Sequence, residues 1–155
     1  MAYPNPGSQD AQALTALRYG YRVERASAIL PATTSTTYFT VAGGRVAAFF
    51  VGEVTVVFDG TVNSLNLTHT PTGGTVGDIC AAAVVTSKEV GTMFGMTGLP
   101  TDAMTMTTAL TRLQNAAVLK PGAVKLKASA TDTTGSTKWT CWYTPLDEGA
   151  YVVAA

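Results

Sequence analysis

The residue types that carry out acid–base and nucleophilic chemistry are sparse in this chain, and their spacing matches no catalytic motif. His69 is the only histidine. A hydrolase elbow needs Gly-x-Ser-x-Gly, and metal ligands often occur as His-x-x-x-His or Cys-x-x-Cys, but the sequence contains none of these patterns. The glycine-rich stretch 91–98 lacks the Lys-Ser/Thr ending of a phosphate-binding loop. We therefore interpret His69 as a strand-end residue with a backbone partner, and we expect no enzyme activity, no cofactor and no metal site.

The acidic residues do not suggest a catalytic pair, which would need two carboxylates about 5–9.5 Å apart across a cleft. Asp147 and Glu148 are adjacent in a predicted turn and are interpreted as solvating it. Glu53 lies between two apolar runs, where an unpaired charge is costly unless it turns outward. Two interpretations stay open for Glu53: an exposed residue at a β-bulge, or an ion pair between subunits. The candidate partners are Arg45, Arg18, Arg22 and Arg25.

The two cysteines, Cys80 and Cys141, are far apart in the sequence, unlike the closely spaced ligands of a metal motif. We interpret them as buried thiols that pack as small apolar residues. A disulfide is the alternative in an oxidising environment. Residues 1–7 show neither the basic nor the apolar region of a signal peptide, so we expect synthesis in a cytosol-like compartment.

Composition argues against several classes of protein. Ten Lys plus Arg balance ten Asp plus Glu, and 13% of the residues are charged. A nucleic-acid binder needs a basic patch, and a polybasic membrane anchor needs excess positive charge. The apolar runs, such as Val46–Val51, are far shorter than the ~20 residues of a membrane-spanning helix. With 26 Thr, 16 Val and 15 Gly against 11 Leu, the composition favours strands and turns over a helical bundle.

Residues 1–24 are predicted to form an N-terminal arm. Its centre, Gln9–Tyr19, has the capping residues and apolar spacing of a short helix. The apolar stripe consists of Leu14, Leu17 and Tyr21. Because an isolated helix of this length is marginal in water, it must dock either on its own domain or on a neighbouring subunit.

Residues 25–155 are predicted to form one all-β domain, an antiparallel β-sandwich or β-barrel. Short apolar segments recur every 8–12 residues or so and are separated by glycine turns. Gly43-Gly44 and Asp59-Gly60 are interpreted as two-residue hairpin turns, which would make residues 36–70 a meander with a bulge at Gly52. The predicted strands are 36–41, 45–51, 54–58, 61–70, 78–86 (buried on both faces), 90–97, 103–110, 124–130, 137–144 and 151–154.

The strand over 137–144 carries the strongest interaction signal. Its period of two places Trp139, Cys141 and Tyr143 on one face, which we assign to the core. Trp142 then lies on an otherwise polar face. Exposed tryptophans often anchor interfaces, so a subunit contact is one interpretation. The alternatives are cover by the N-terminal helix and stacking on a sugar ring.

Several short segments resemble small virion-associated structural proteins of tailed bacteriophages. They are Ile29–Thr33, Gly44–Val46, Val51–Val54, His69–Gly74, Asp78–Cys80, Lys138–Thr140 and Tyr143–Ala155. The resemblance spans most of residues 28–155. It implies a structural β-protein of the phage particle, assembled in the host bacterial cytoplasm, and it carries over no catalytic residues.

Within that class, the resemblance points first to a capsid decoration (cement) protein that sits as a trimer on the outer capsid surface. Its partners would be further copies of itself and the lattice of the major capsid protein, with no nucleic acid and no membrane. The alternatives are a tail-tube, head-spike or fibre component, or a carbohydrate-binding β-module. The candidate interface residues are Trp142, Tyr19, Tyr21, Phe49, Phe50, Glu53, Leu14 and Leu17.

Overall fold

The computed structural model describes residues 20–109 and 115–155, in which all regular secondary structure is β. Two antiparallel sheets pack face to face, so the predicted all-β class is confirmed and the architecture is a β-sandwich. The described residues form twelve strands: β1 Tyr21–Ile29, β2 Ser35–Ala42, β3 Val46–Val56, β4 Ser64–Pro71, β5 Gly77–Asp78, β6 Ala83–Val84, β7 Met93–Gly95, β8 Thr105–Thr107, β9 Ala117–Leu119, β10 Gly122–Ala128, β11 Ser136–Pro145 and β12 Tyr151–Ala154.

Strands that neighbour each other in a sheet are mostly distant in sequence. Sheet A has the order β1-β11-β3-β7-β8, and β9 also pairs with β3. Sheet B has the order β12-β2-β10-β4-β5, and β6 also pairs with β4. Apolar side chains from the two inner faces fill the space between the sheets, as expected for a sandwich.

The predicted meander over residues 36–70 is wrong. β2 and β4 lie in sheet B, whereas β3 lies in sheet A, so the chain crosses between the sheets at both predicted hairpins. A glycine-rich turn marks a change of direction, but it does not determine which strands pair. Here, both turns are held by contacts with loops that are distant in the sequence.

The turn at Gly43-Gly44 is shaped by the loop between β11 and β12. A Cβ atom on Gly43 would lie 2.1 Å from the carbonyl oxygen of Gly149, and φ of Gly43 is +75°. The adjacent Arg45 makes a bidentate ion pair with Asp147, with N–O distances of 2.9 Å and 2.7 Å. Asp147 therefore does more than solvate a turn, because it fastens the start of β3 to the end of β11.

The turn at Asp59-Gly60 is held by a second loop, 131–135. One carboxylate oxygen of Asp59 accepts hydrogen bonds from the N–H and the hydroxyl of Thr133, at 2.9 Å and 3.0 Å. Its other oxygen accepts from the N–H of Thr61 at 2.8 Å. Asp132 accepts in turn from the N–H groups of Asp59, at 3.2 Å, and of Gly135, at 2.6 Å. The two aspartates thus join the loop after β3 to the loop before β11.

The predicted bulge at Gly52 is also wrong, because β3 runs unbroken through this residue. Gly52 lies opposite Trp139 of β11 on one side and Phe94 of β7 on the other. The two rings meet over it, with centroids 5.9 Å apart and planes 7° apart. Tyr38 of the opposite sheet meets the same indole edge-on at 6.4 Å. The glycine leaves room for the largest fully buried side chain of the core.

Several predicted boundaries also change. β1 begins at Tyr21, so the boundary between residues 24 and 25 falls inside a strand. The segment 78–86 is not one strand buried on both faces. It contains only the last residue of β5 and the two residues of β6, and Ala82 and Val84 are exposed. β1 and β9 were not predicted as strands. The predicted helix Gln9–Tyr19 lies outside the described residues.

We predict that Gly52→Ala destabilises the protein by about 1–3 kcal/mol, the usual cost of overpacking a core. The new methyl group would lie 2.7–2.9 Å from three carbon atoms of the Trp139 indole. Urea unfolding followed by circular dichroism measures the change. Gly60→Ala is the control, because a Cβ atom there meets nothing within 4 Å. Equal stability of the two variants would contradict this account of Gly52.

We also predict a pH effect from Asp59. Hydrogen bonds from Thr133 and Thr61 lower the pKa of its carboxyl from 3.8 to about 2. The stabilisation is therefore present above pH 3.8 and is lost as the pH falls towards 2. In Asp59→Asn, the free energy of unfolding should fall less steeply over this range, as measured by urea titrations at each pH. If the free energy of unfolding has the same pH dependence in both proteins, the pKa of Asp59 does not change on folding and this account of Asp59 is wrong.

Candidate interaction surface

An aromatic pair lies on the outer face of sheet A. Trp142 of β11 is directly opposite Phe49 of β3, with ring centroids 5.7 Å apart and planes 14° apart. Arg22 of β1 flanks Trp142 on the other side. Both rings are half-buried, as expected for side chains that stack on each other on an otherwise open sheet face. This row of three residues crosses the three longest strands of sheet A.

The next two rows of the same face are more polar. Glu24, Thr140 and Val51 form the row beside the aromatic pair, and Lys138 and Glu53 form the row after it. We call this surface the aromatic face. It consists of Arg22, Glu24, Phe49, Val51, Glu53, Lys138, Thr140 and Trp142.

The four charged residues of the aromatic face neutralise one another. Arg22 contacts Glu24 within β1, and the ammonium of Lys138 lies 3.3 Å from the Glu53 carboxylate. All four side chains are partly exposed, so each pair contributes little to folding stability. Their effect is on the surface itself, because the face offers aromatic contacts with no net charge.

The Glu53 side chain is partly exposed, in line with one interpretation, but it lies in a regular strand and not at a bulge. Within the part of the chain that the structure describes, its ion-pair partner is Lys138. The register between β3 and β11 places Lys138 directly opposite Glu53, and Arg45 is held by Asp147 instead.

The other predicted interface residues lie in different environments. Phe50 is a core residue, only 2% exposed and packed against Phe39, so its assignment to an interface is wrong. It follows Phe49 in a strand, and successive side chains point to opposite faces. Tyr21 is 54% exposed and contacts Tyr143. Leu14, Leu17 and Tyr19 lie outside the described residues.

The core assignments on β11 are confirmed. Trp139, Cys141 and Tyr143 are all buried. Cys80 and Cys141 are both buried free thiols, and burial raises their pKa values to about 11 and about 12. They are therefore protonated at neutral pH and are poor nucleophiles.

His69 lies near the end of β4, where burial lowers its pKa and the backbone groups of Ala123 and Lys120 partly offset that effect. Residues 20–109 and 115–155 contain no group of three or more His, Cys, Asp or Glu side chains that could hold a metal ion. Nor does any helix in this part of the chain have the length and apolarity needed to cross a membrane.

We compared the chain with protein-family models, with curated proteins and with solved structures, and found no match. The geometry of the aromatic face is therefore the main structural guide to function.

Sequence reasoning missed that Glu24 belongs to this face and that Lys138 pairs with Glu53. The period of two does place Lys138 on the same side as Trp142. It does not reveal that β3 and β1 flank β11, and so the ion-pair partners could not be assigned.

We predict that the two tryptophans differ in their importance for stability. Trp139→Ala should cost about 3–5 kcal/mol, because it opens a large cavity between the sheets. Trp142→Ala should cost about 1 kcal/mol, because the outer face can rehydrate. Urea unfolding followed by circular dichroism compares the two variants. A loss for Trp142→Ala as large as that for Trp139→Ala would mean that Trp142 is a core residue and not a binding residue.

Proposed function

We propose that this protein is a structural component of a tailed-bacteriophage virion, most specifically a capsid decoration protein that binds the outer capsid surface and stabilises it. The resemblance of residues 28–155 to small virion structural proteins motivates the proposal. The β-sandwich is consistent with it, since a rigid sandwich can present a fixed surface to a lattice without changing shape.

The aromatic face is the observation that carries the proposal. Phe49 and Trp142 offer a rigid apolar centre, and the paired charges around them form a polar rim. Interfaces commonly combine a central aromatic anchor with such a rim. Because the face has no net charge, recognition would depend on shape and desolvation more than on electrostatic attraction.

Decoration by this route would be mechanical. Each copy bound across neighbouring coat subunits adds buried interface that must be broken before the shell can open. We propose that the copies act as trimers at three-fold positions of the lattice, because homo-oligomers close by point-group symmetry and a three-fold site accommodates three equivalent copies. The same face would serve a tail or fibre component equally well, so the location in the particle needs its own test.

We predict that Trp142→Ala weakens binding to expanded capsids about 30-fold, the effect of losing a hot-spot residue worth about 2 kcal/mol. The assay is co-sedimentation of the purified protein with undecorated expanded capsids of the phage, with free coat subunits as a specificity control. Tyr151→Ala is the matched control variant, since Tyr151 is 48% exposed on β12 of the other sheet. It should bind as well as the unsubstituted protein.

Other outcomes would redirect the proposal. If the unsubstituted protein does not bind capsids but labels tails in electron micrographs, a tail component replaces the decoration protein. Binding on a glycan array that Trp142→Ala abolishes would instead support a carbohydrate-binding module. Equal capsid binding by both variants would show that the aromatic face is not the capsid-binding surface.

A further inference from the structure

The first strand of the structure forms an edge of sheet A. β1 is nine residues long, and among the described residues it pairs with β11 alone. The backbone N–H and C=O groups on its other side have no strand partner in the described part of the chain. An edge of this kind is a template for pairing with another strand.

Only the first half of this edge is regular. The register with β11 is continuous from Tyr21 to Arg25 and then shifts before Ala28. A bulge bends a strand and disrupts its ladder, so it limits pairing in the second half. The segment available for regular pairing is therefore Tyr21–Arg25.

The charges of this segment are self-complementary. We propose that β1 pairs in antiparallel fashion with β1 of a second copy of this chain, about a two-fold axis that passes through Val23. In this register, Arg22 of each copy lies opposite Glu24 of the other. Cross-strand pairs of opposite charge stabilise antiparallel sheets.

The alternative two-fold registers are less favourable. In an antiparallel pair, directly opposite residues have their side chains on the same face of the sheet. A two-fold axis perpendicular to the sheet must therefore lie between the two copies of one residue, which are directly opposite each other. An axis through Arg22, Glu24 or Arg25 places that charged residue opposite its own copy. Like charges in directly opposite positions are destabilising. Among registers centred on residues 22–25, only the Val23 register sets unlike charges opposite each other.

The same register covers partly exposed apolar surface on the inner side of β1. Val23 would contact its own copy, and Tyr21, which is 54% exposed, would lie opposite Arg25. The Arg25 guanidinium already lies over the Tyr38 ring, 3.8 Å from the ring centre. A second aromatic ring beside it would extend a favourable cation–aromatic contact.

This inference goes beyond the proposed function and does not depend on it, because the pairing forms along the backbone edge of β1. Arg22 and Glu24 lie at this edge and also at the rim of the aromatic face. The pairing is compatible with a trimer, since three β1 edges of a trimer could each pair with an edge of a neighbouring assembly.

The first test is disulfide trapping between two single-cysteine substitutions, Arg22→Cys and Glu24→Cys. Opposite residues in an antiparallel pair have Cα atoms about 4.5–5.5 Å apart, within the range that a disulfide spans. A mixture of the two variants, one of them labelled with ¹⁵N, should therefore yield the mixed disulfide dimer under mild oxidation, identified by mass spectrometry. Each variant alone should cross-link little, because identical residues would be about 7–8 Å apart on the diagonal. The buried native cysteines stay unchanged.

Lys127→Cys, an exposed position on β10 of the other sheet, measures random collision. Cross-linking of Arg22→Cys with itself as fast as with Glu24→Cys would overturn the proposed register. Cross-linking of the mixture no faster than Lys127→Cys would overturn the pairing altogether.

The second test reverses the charges. Arg22→Glu and Glu24→Arg each place like charges opposite each other, and each should raise the dissociation constant at least about tenfold in sedimentation experiments. The double variant Arg22→Glu/Glu24→Arg restores opposite pairs and should associate as the unsubstituted protein does. Thermal melting of all three variants checks that the fold is intact. Association that is unaffected by the single reversals would place the contact elsewhere and overturn the proposal.

Discussion

The stacking of Trp139 on Phe94 across Gly52 is the contact on which the sandwich depends most. It joins three strands of sheet A, since the two rings come from β11 and β7 and meet over the glycine of β3. Tyr38 of sheet B then packs against the same indole. Because a protein interior is close-packed, the position of this ring constrains the residues around it. Because Gly52 has no side chain, the indole of Trp139 has room to lie between the sheets.

This arrangement explains how one strand can serve two purposes. The inward side chains of β11 fill the core, so the strand is held firmly from one side. Its outward side chains contribute less to folding stability, so Trp142 can stack on Phe49 and still be available for binding. A rigid strand with an aromatic outer side is well suited to binding, because little conformational entropy is lost when a partner covers it.

Local patterns in the sequence were sufficient for some features and insufficient for others. The alternation in β11 correctly separated Trp139 from Trp142, because the period of a strand depends only on neighbouring residues. The partner of Glu53 could not be derived, because it depends on the register between β3 and a strand more than eighty residues later. Gly52 was misread for the same reason. A glycine inside a strand commonly signals a bulge, but here it makes room for a ring that the local sequence does not contain.

The interleaved topology also affects how the chain can fold during translation. β1 cannot pair until β11 has been synthesised, and β2 cannot pair on both sides until β10 and β12 have been synthesised. Such long-range pairing makes folding slow, and strands emerging from the ribosome leave apolar faces exposed in the meantime. The many threonines and the charged pairs along these strands therefore have a second benefit, since they keep the unpaired chain hydrated until its C-terminal third has been synthesised.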